Sequence, residues 1–297
     1  MMISDMTALL CGSLQTHLGT QLPSGGGHTI SAGQWHRDVR HRRCSSGLDD
    51  LYRPGAGIRA RLAEMTPRQR LYRLAFAPLV RGAAKTAILG RNRVRGDMSK
   101  GRFTKAEIRD LLKDAWTRFE AHAAQIPHER DAGARLWLLN GALIISAIQA
   151  AIDRGVARNY AIELVGDAAW IIYRRVMMVP DALVRLTTRD PAKRLKRDTH
   201  LIMDVFPFGP KSYCKRWIDS DRGGVFLVTR CPYQELHHNL LPPEDARDFC
   251  QGTACNLDYP LAEMWGGHLE RTETLAGGGK YCDFRYVTDT QPEGNRD

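Results

Sequence analysis

The clearest pattern along the chain is helical. Ile108, Leu111, Leu112, Ala115, Trp116 and Phe119 recur at the three- and four-residue spacing of one helix face. Thr104 and Glu107 precede them as a capping box, and Pro127 closes the segment. A second helix is predicted from near Asp131 to about Ala151. Its apolar stretch Leu136–Ile152 carries Asn140 and Gln149 and falls short of the roughly 20 residues of a membrane span, so it reads as a buried helix. A third covers Asn159 to Met178 and should stop before Pro180, because proline cannot donate within a helix. Asp190-Pro191 combines an N-cap with proline at the first helical position and opens a short basic helix through Arg197. Upstream, Thr66–Leu89 predicts a basic amphipathic helix in which Leu71, Leu74, Leu79 and Ala83 alternate with Arg68, Arg70, Arg73 and Arg81. That helix either docks on the main body with a solvated basic face or lies on a membrane surface.

After about His200 the period changes to two. Gly224–Arg230 reads as a strand, as do His268–Leu275 and Cys282–Val287, which are joined by Ala276-Gly277-Gly278-Gly279-Lys280. Tyr213–Ile218 adds a fourth strand. Short helices are predicted near Tyr233–His238 and from Pro243 to about Gln251. Helices followed by an antiparallel sheet make an α+β protein, with a helical region over 56–198 and an α+β region over 199–297. Residues 1–55 are rich in Gly, Ser, Thr, His and Arg without a sustained apolar period. They are expected to form a disordered leader or an over-extended translation start, with a nucleic-acid or membrane-surface arm as the functional alternative.

Composition sharpens this picture at two points. The net charge of +10 comes wholly from residues 1–100, which hold 16 Lys and Arg against 6 Asp and Glu. The rest is balanced, so a general nucleic-acid footprint is not expected. Seven cysteines in 297 residues are too few for a disulfide scaffold, and an odd number leaves a thiol over. No secretory signal is legible, and reduced thiols without one point to the cytoplasm. No membrane span is expected, and the oligomeric state is open.

Three segments of the last 75 or so residues carry a family resemblance. Thr229-Arg230-Cys231-Pro232-Tyr233 ends a strand; Cys255-Asn256-Leu257-Asp258 precedes Leu261-Ala262-Glu263; and Arg271–Ala276 with Gly278 leads into Cys282-Asp283-Phe284-Arg285-Tyr286. In this order they resemble the L-2-amino-thiazoline-4-carboxylic acid hydrolase family. The resemblance implies hydrolytic opening of a cyclic amidine-like C–N bond in a small cysteine-derived acid, giving an N-carbamoyl-cysteine product. Such a reaction needs a nucleophile, an acid/base and a cation for the carboxylate. Cys231, Cys255 and Cys282 are the candidate reactive cluster, and Asp258 and Asp283 the candidate bases. Arg271 and Arg285 suit the carboxylate, since a guanidinium binds it through two parallel hydrogen bonds.

Each residue also has a plain structural reading. Cys282 alternates with Phe284 and Tyr286, and Cys231 with Thr229, Leu227 and Val225, so both are candidates for inert core thiols. Arg271 and Arg285 are equally placed for cross-strand pairs with Glu273 or Asp283. A metal at the cysteine cluster would require ligands from three separate elements. Cys250 and Cys255, five apart, would point about 140° from each other on one continuous helix. The alternative function is a non-catalytic small-molecule or metal-sensing module on the same scaffold.

Overall fold

The computed structural model describes residues 67–288. The expected leader over residues 1–55 lies outside them. In chain order the elements are α1 (Pro67–Ile88), β1 (Asn92–Val94), β2 (Asp97–Arg102), α2 (Lys105–Ala123), α3 (Ala132–Asp153), α4 (Arg158–Arg185) and α5 (Pro191–His200). A π-helical turn at Leu201–Val205 follows, then β3 (Cys214–Ile218), β4 (Gly223–Arg230), α6 (Pro232–Leu240) and α7 (Pro243–Thr253). The chain ends with a 3-10 turn at Cys255–Leu257, α8 (Asp258–Met264), β5 (His268–Glu270) and β6 (Cys282–Val287). This is an α+β fold: a helical assembly, a small β1–β2 hairpin and an antiparallel sheet of order β3-β4-β6-β5.

The helix starts follow from local chemistry. Glu107 N–H donates to Thr104 Oγ1 at 3.3 Å while Thr104 N–H donates to Glu107 Oε2 at 2.8 Å, the reciprocal capping box. Asp190 Oδ1 accepts from Lys193 N–H at 3.0 Å and starts α5. α2 and α3 pack through Trp116, Phe119, Leu138 and Leu139, joined by Leu236 of α6. Burying a side chain as large as Phe119 stabilises the fold by roughly 1.5–3 kcal/mol relative to leaving it exposed. By length and composition α3 could cross a bilayer, yet 61% of its apolar window is buried inside the protein, as befits a core helix.

Two helices differ from expectation. α4 runs through Pro180 to Arg185 instead of stopping before it. Met177, Pro180, Asp181 and Val184 are buried there, and Arg185 Nε donates to Asp181 Oδ2 at 2.8 Å, so tertiary packing offsets the missing backbone bond. In α1 the inward residues are Tyr72, Ala83, Ala84, Ala87 and Ile88, whereas Leu71, Leu74 and Leu79 remain exposed. The leucines that marked this helix as amphipathic therefore do not dock it.

The sheet builds the second core. On one face Phe226 pairs opposite Phe284 and Val228 opposite Cys282. These residues, except Phe284 at the margin, are buried with Tyr286, Trp265, Leu195 and Met177. α5 crosses close to β4, where a Cβ at Gly224 would collide with Thr199, so only glycine admits the helix at this height. The predicted strand His268–Leu275 is correct only as far as Glu270. From Arg271 onward the backbone leaves the ladder, because its amides are captured by a side chain of β6.

Candidate active site

The residues that leave the ladder form one wall of a cleft of about 570 Å³. Gln251, Cys255, Asn256 and Tyr259 complete its lining, and Thr272–Thr274 with Gly277–Gly279 form its rim. The lining is mainly polar and its size suits a small, charged organic acid.

Cys255 reaches this cleft because α7 ends early. Ala254 has φ −125° and ψ −63°, which breaks the helix and starts the 3-10 turn. The expected divergence of Cys250 and Cys255 on one helix is thereby overturned: both pack in one cluster with Tyr233 and Ala276, and the Cys250 thiol hydrogen-bonds to the Cys255 sulfur. That bond pulls the Cys255 thiol below the ordinary cysteine value; burial and Asp258 oppose the shift, and the Arg271 cation assists it. The same bond, with burial, pushes Cys250 far up.

The other two cysteines of the predicted cluster behave differently. Cys231 caps α6 at the end of β4, and burial, with Cys282 as a neighbour, pushes its thiol well up. Cys282 lies on β6 facing the sheet core, where burial pushes it up to about 12 despite a 3.2 Å bond from Leu275 N–H to its sulfur. The cysteines are electrostatic neighbours, but only Cys255 combines a lowered thiol with a place on the cleft wall. Among the described residues no group of three or more His, Cys, Asp or Glu is arranged to hold a metal ion.

Arg271 is the cation of the site. Its Nη1 bonds Asp258 Oδ2 at 3.0 Å and its Nη2 donates to Cys255 O at 2.8 Å, while its plane stacks at 4.9 Å from the Tyr259 ring and 5.4 Å from Phe284. Only 4% of its side chain is exposed. Burial works against its charge, yet Asp258 and Cys255 hold it firmly protonated. Asp258, at the first residue of α8, is raised to about 6 by burial, with Arg271 and the Tyr286 hydroxyl holding it down. It stands behind Arg271, and it is Glu273 that supplies a carboxylate to the cleft lining.

Asp283 and Arg285 occupy the face of β6 opposite that of Cys282, Phe284 and Tyr286. Asp283 accepts from Thr272 N–H at 2.9 Å, Thr272 Oγ1 at 2.8 Å and Glu273 N–H at 2.7 Å, with a further 3.2 Å bond from Thr272 N–H. Those bonds fill its acceptor sites, so it anchors the rim where a free base was expected. Arg285 lies opposite Glu270 and Val225 in the sheet register and does not converge with Arg271. The expected two-arginine clamp is thus divided between two faces by strand alternation.

Sequence reasoning gave Cys250, Tyr259 and Glu273 no role at the site. Tyr259 carried no motif, Glu273 was read only as an ion-pair partner, and the thiol pairing depends on a helix break at Ala254, just after Gly252, whose exact position the sequence does not fix. Gly278, at φ +87°, turns the rim back toward β6, and the approach of Gly279 to Glu273 leaves no room for a Cβ. Lys280 N–H then donates to the Glu273 carboxylate and fixes it on the rim.

No curated protein and no solved structure matches the chain. The family model for L-2-amino-thiazoline-4-carboxylic acid hydrolase matches residues 147–286. The match starts within α3 and takes in every cleft residue named above, well beyond the three motif segments. Residues 147–286 thus carry a domain-level match to the L-2-amino-thiazoline-4-carboxylic acid hydrolase family, which supports the resemblance seen in the three motif segments.

Proposed function

We propose that this protein hydrolyses a small cyclic amidine acid of the 2-aminothiazoline-4-carboxylate type, with Cys255 as its nucleophile. The observation that carries the reading is one thiol, lowered by its neighbours, on the wall of a polar cleft beside a buried arginine. The Cys255 thiolate adds to the amidine carbon of the ring. Expulsion of the ring sulfur, which takes up a proton, leaves an isothiourea joined to Cys255 and a free thiol on the substrate. Water then adds to the same carbon, and collapse returns the Cys255 thiol with an N-carbamoyl-cysteine product. One water is consumed. Both nitrogens stay on the carbon, so the net change is the addition of one water with cleavage of the ring C–S bond, the Cys255 S–C bond being formed and broken along the way.

Arg271 assists the Cys250 bond in favouring the Cys255 thiolate and fixes the Cys255 backbone through the carbonyl bond. Asp258 is the positioning residue that aligns Arg271. Glu273 is assigned the proton transfers, because its carboxylate belongs to the cleft lining. The substrate carboxylate meets the positive field of Arg271, with Gln251 and Asn256 as hydrogen-bond donors.

Purified protein incubated with 2-aminothiazoline-4-carboxylate should release a free thiol, read by a colorimetric thiol reagent after removal of protein. Cys255→Ser should fall to the buffer rate, Glu273→Gln should lose a factor of roughly 10²–10⁴, and Cys282→Ser should retain most activity. Buffer-level release by the wild type, or full activity in Cys255→Ser, would overturn the reading.

A further inference from the structure

The exposed face of α1 has no part in the cleft. Leu71, Leu74, Pro78, Arg81, Lys85 and Leu89 recur every three or four residues and are all exposed, on the side away from the buried Tyr72, Ala83 and Ala87. Leu71 is 66% exposed and Leu74 76%. Where α1 ends, Gly90 N–H donates to Phe103 O and Phe103 N–H to Arg91 O, which joins the β1–β2 hairpin to the helix. That hairpin carries Val94 and Met98, the latter 72% exposed, close to its Arg95–Gly96 turn.

This short region holds six of the nine large hydrophobic residues exposed among the described residues. Residues 67–105 also contain eleven Lys and Arg against a single acid, Asp97. Ion pairs to other elements occupy Arg73, Arg91, Arg93 and Arg95. Arg70, Arg81, Lys85, Lys100, Arg102 and Lys105 have no ion pair within the described residues. Exposed aliphatic side chains are of no use to a solvated basic face, and nucleic acid would be met by phosphate-binding cations and stacking aromatics. Aliphatic side chains interleaved with unpaired cations match the acyl boundary and headgroups of an anionic bilayer.

We propose that α1 and the β1–β2 hairpin form a peripheral docking surface for membranes rich in anionic phospholipid. Leu71, Leu74 and Met98 enter the headgroup–acyl boundary, and Arg81 and Lys85 meet the lipid phosphates. The surface is independent of the hydrolytic reading, since none of these residues lines the cleft.

The test is sedimentation of the full chain with phosphatidylcholine vesicles and with mixed phosphatidylcholine–phosphatidylglycerol vesicles, at low and high salt. The wild type should partition onto the mixed vesicles, and high salt should weaken that binding. A cation near an anionic surface is worth roughly fivefold in binding, so Arg81→Glu/Lys85→Glu should lose at least about tenfold. Leu71→Ser/Leu74→Ser should lose binding on the same vesicles, with thermal unfolding unchanged because both side chains face solvent. Equal binding to both vesicle types would overturn the proposal. So would binding that persists in both variants, which would transfer it to another segment. Retention on a DNA duplex with none on the vesicles would assign the surface to nucleic acid instead.

Discussion

Replacing Arg271 with methionine tests the electrostatic centre of the site. Its guanidinium bonds Asp258 at 3.0 Å, with only 4% and 18% of the two side chains exposed. Two such charges attract by about 4 kcal/mol at 4 Å for an effective dielectric constant near 20. Methionine keeps much of the packing against Tyr259 and Phe284 but leaves Asp258 buried without its cation and Cys255 O without its donor. Breaking one side of a buried pair costs about 3–5 kcal/mol, which is the loss expected at pH 8. The loss depends on pH. Asp258 is already raised to about 6 with Arg271 present, and without the cation it rises further. The folded variant therefore holds a proton that the unfolded chain, near pKa 3.9, has released. Where the native state binds more protons, stability falls as pH rises; both proteins share that fall up to about pH 6, so the deficit is small and flat below it and grows from there up to the variant's folded pKa. Urea unfolding of wild type and Arg271→Met at pH 5 and pH 8 measures this. Adding Asp258→Asn to the variant should recover most of the loss at pH 8. A deficit equal at both pH values, or one below about 1 kcal/mol at pH 8, would place the pair among weakly contributing surface bridges and refute the reasoning.

Two further outcomes follow from the same structure. Brief iodoacetamide treatment at neutral pH should alkylate Cys255 before Cys231 and Cys282, because only Cys255 is both lowered and on the cleft wall; peptide mapping that finds Cys282 first would contradict this. Asp198, fully buried on α5 with neither carboxylate oxygen hydrogen-bonded, is raised to about 7 by burial and by Asp181. It therefore withdraws stability as pH rises from about 4 to about 7. Asp198→Asn should be the more stable protein at pH 8, with an advantage that grows by at most about 1.4 kcal/mol per pH unit across that window and is flat above it. An advantage that stays constant from pH 5 to pH 8 would show that the carboxylate does not titrate as described.

What was legible from sequence depended on whether the signal was local. The Thr104–Glu107 box, the Asp190 cap and the strands β4 and β6 are set by neighbours in the chain, and the structure shows each in place, although β4 is buried on both faces over most of its length. Pro180 misled because burial on α4 outweighs one lost hydrogen bond. Leu71 and Leu74 misled because periodicity shows that a stripe exists but not which side meets the core; Tyr72 and the small Ala83 and Ala87 allow closer packing. The β1–β2 hairpin was passed over because its strands are too short and polar to show a period. At the site, the residue types were legible but their grouping was not. Asp283 became an anchor through contacts with residues ten and eleven positions earlier, and strand alternation turned Arg285 to the other face. Cys255 was one candidate among three until the break at Ala254 set it beside Cys250.

The most direct test of the central claim is to look for the covalent intermediate. Protein mixed with excess 2-aminothiazoline-4-carboxylate, quenched in acid within a single turnover and mapped by mass spectrometry, should carry one substrate mass on the peptide containing Cys255. The adduct should be absent from Cys255→Ser and should decay as free thiol accumulates. Turnover by the wild type with no adduct on Cys255, or with the adduct on Cys231 or Cys282, would contradict the account.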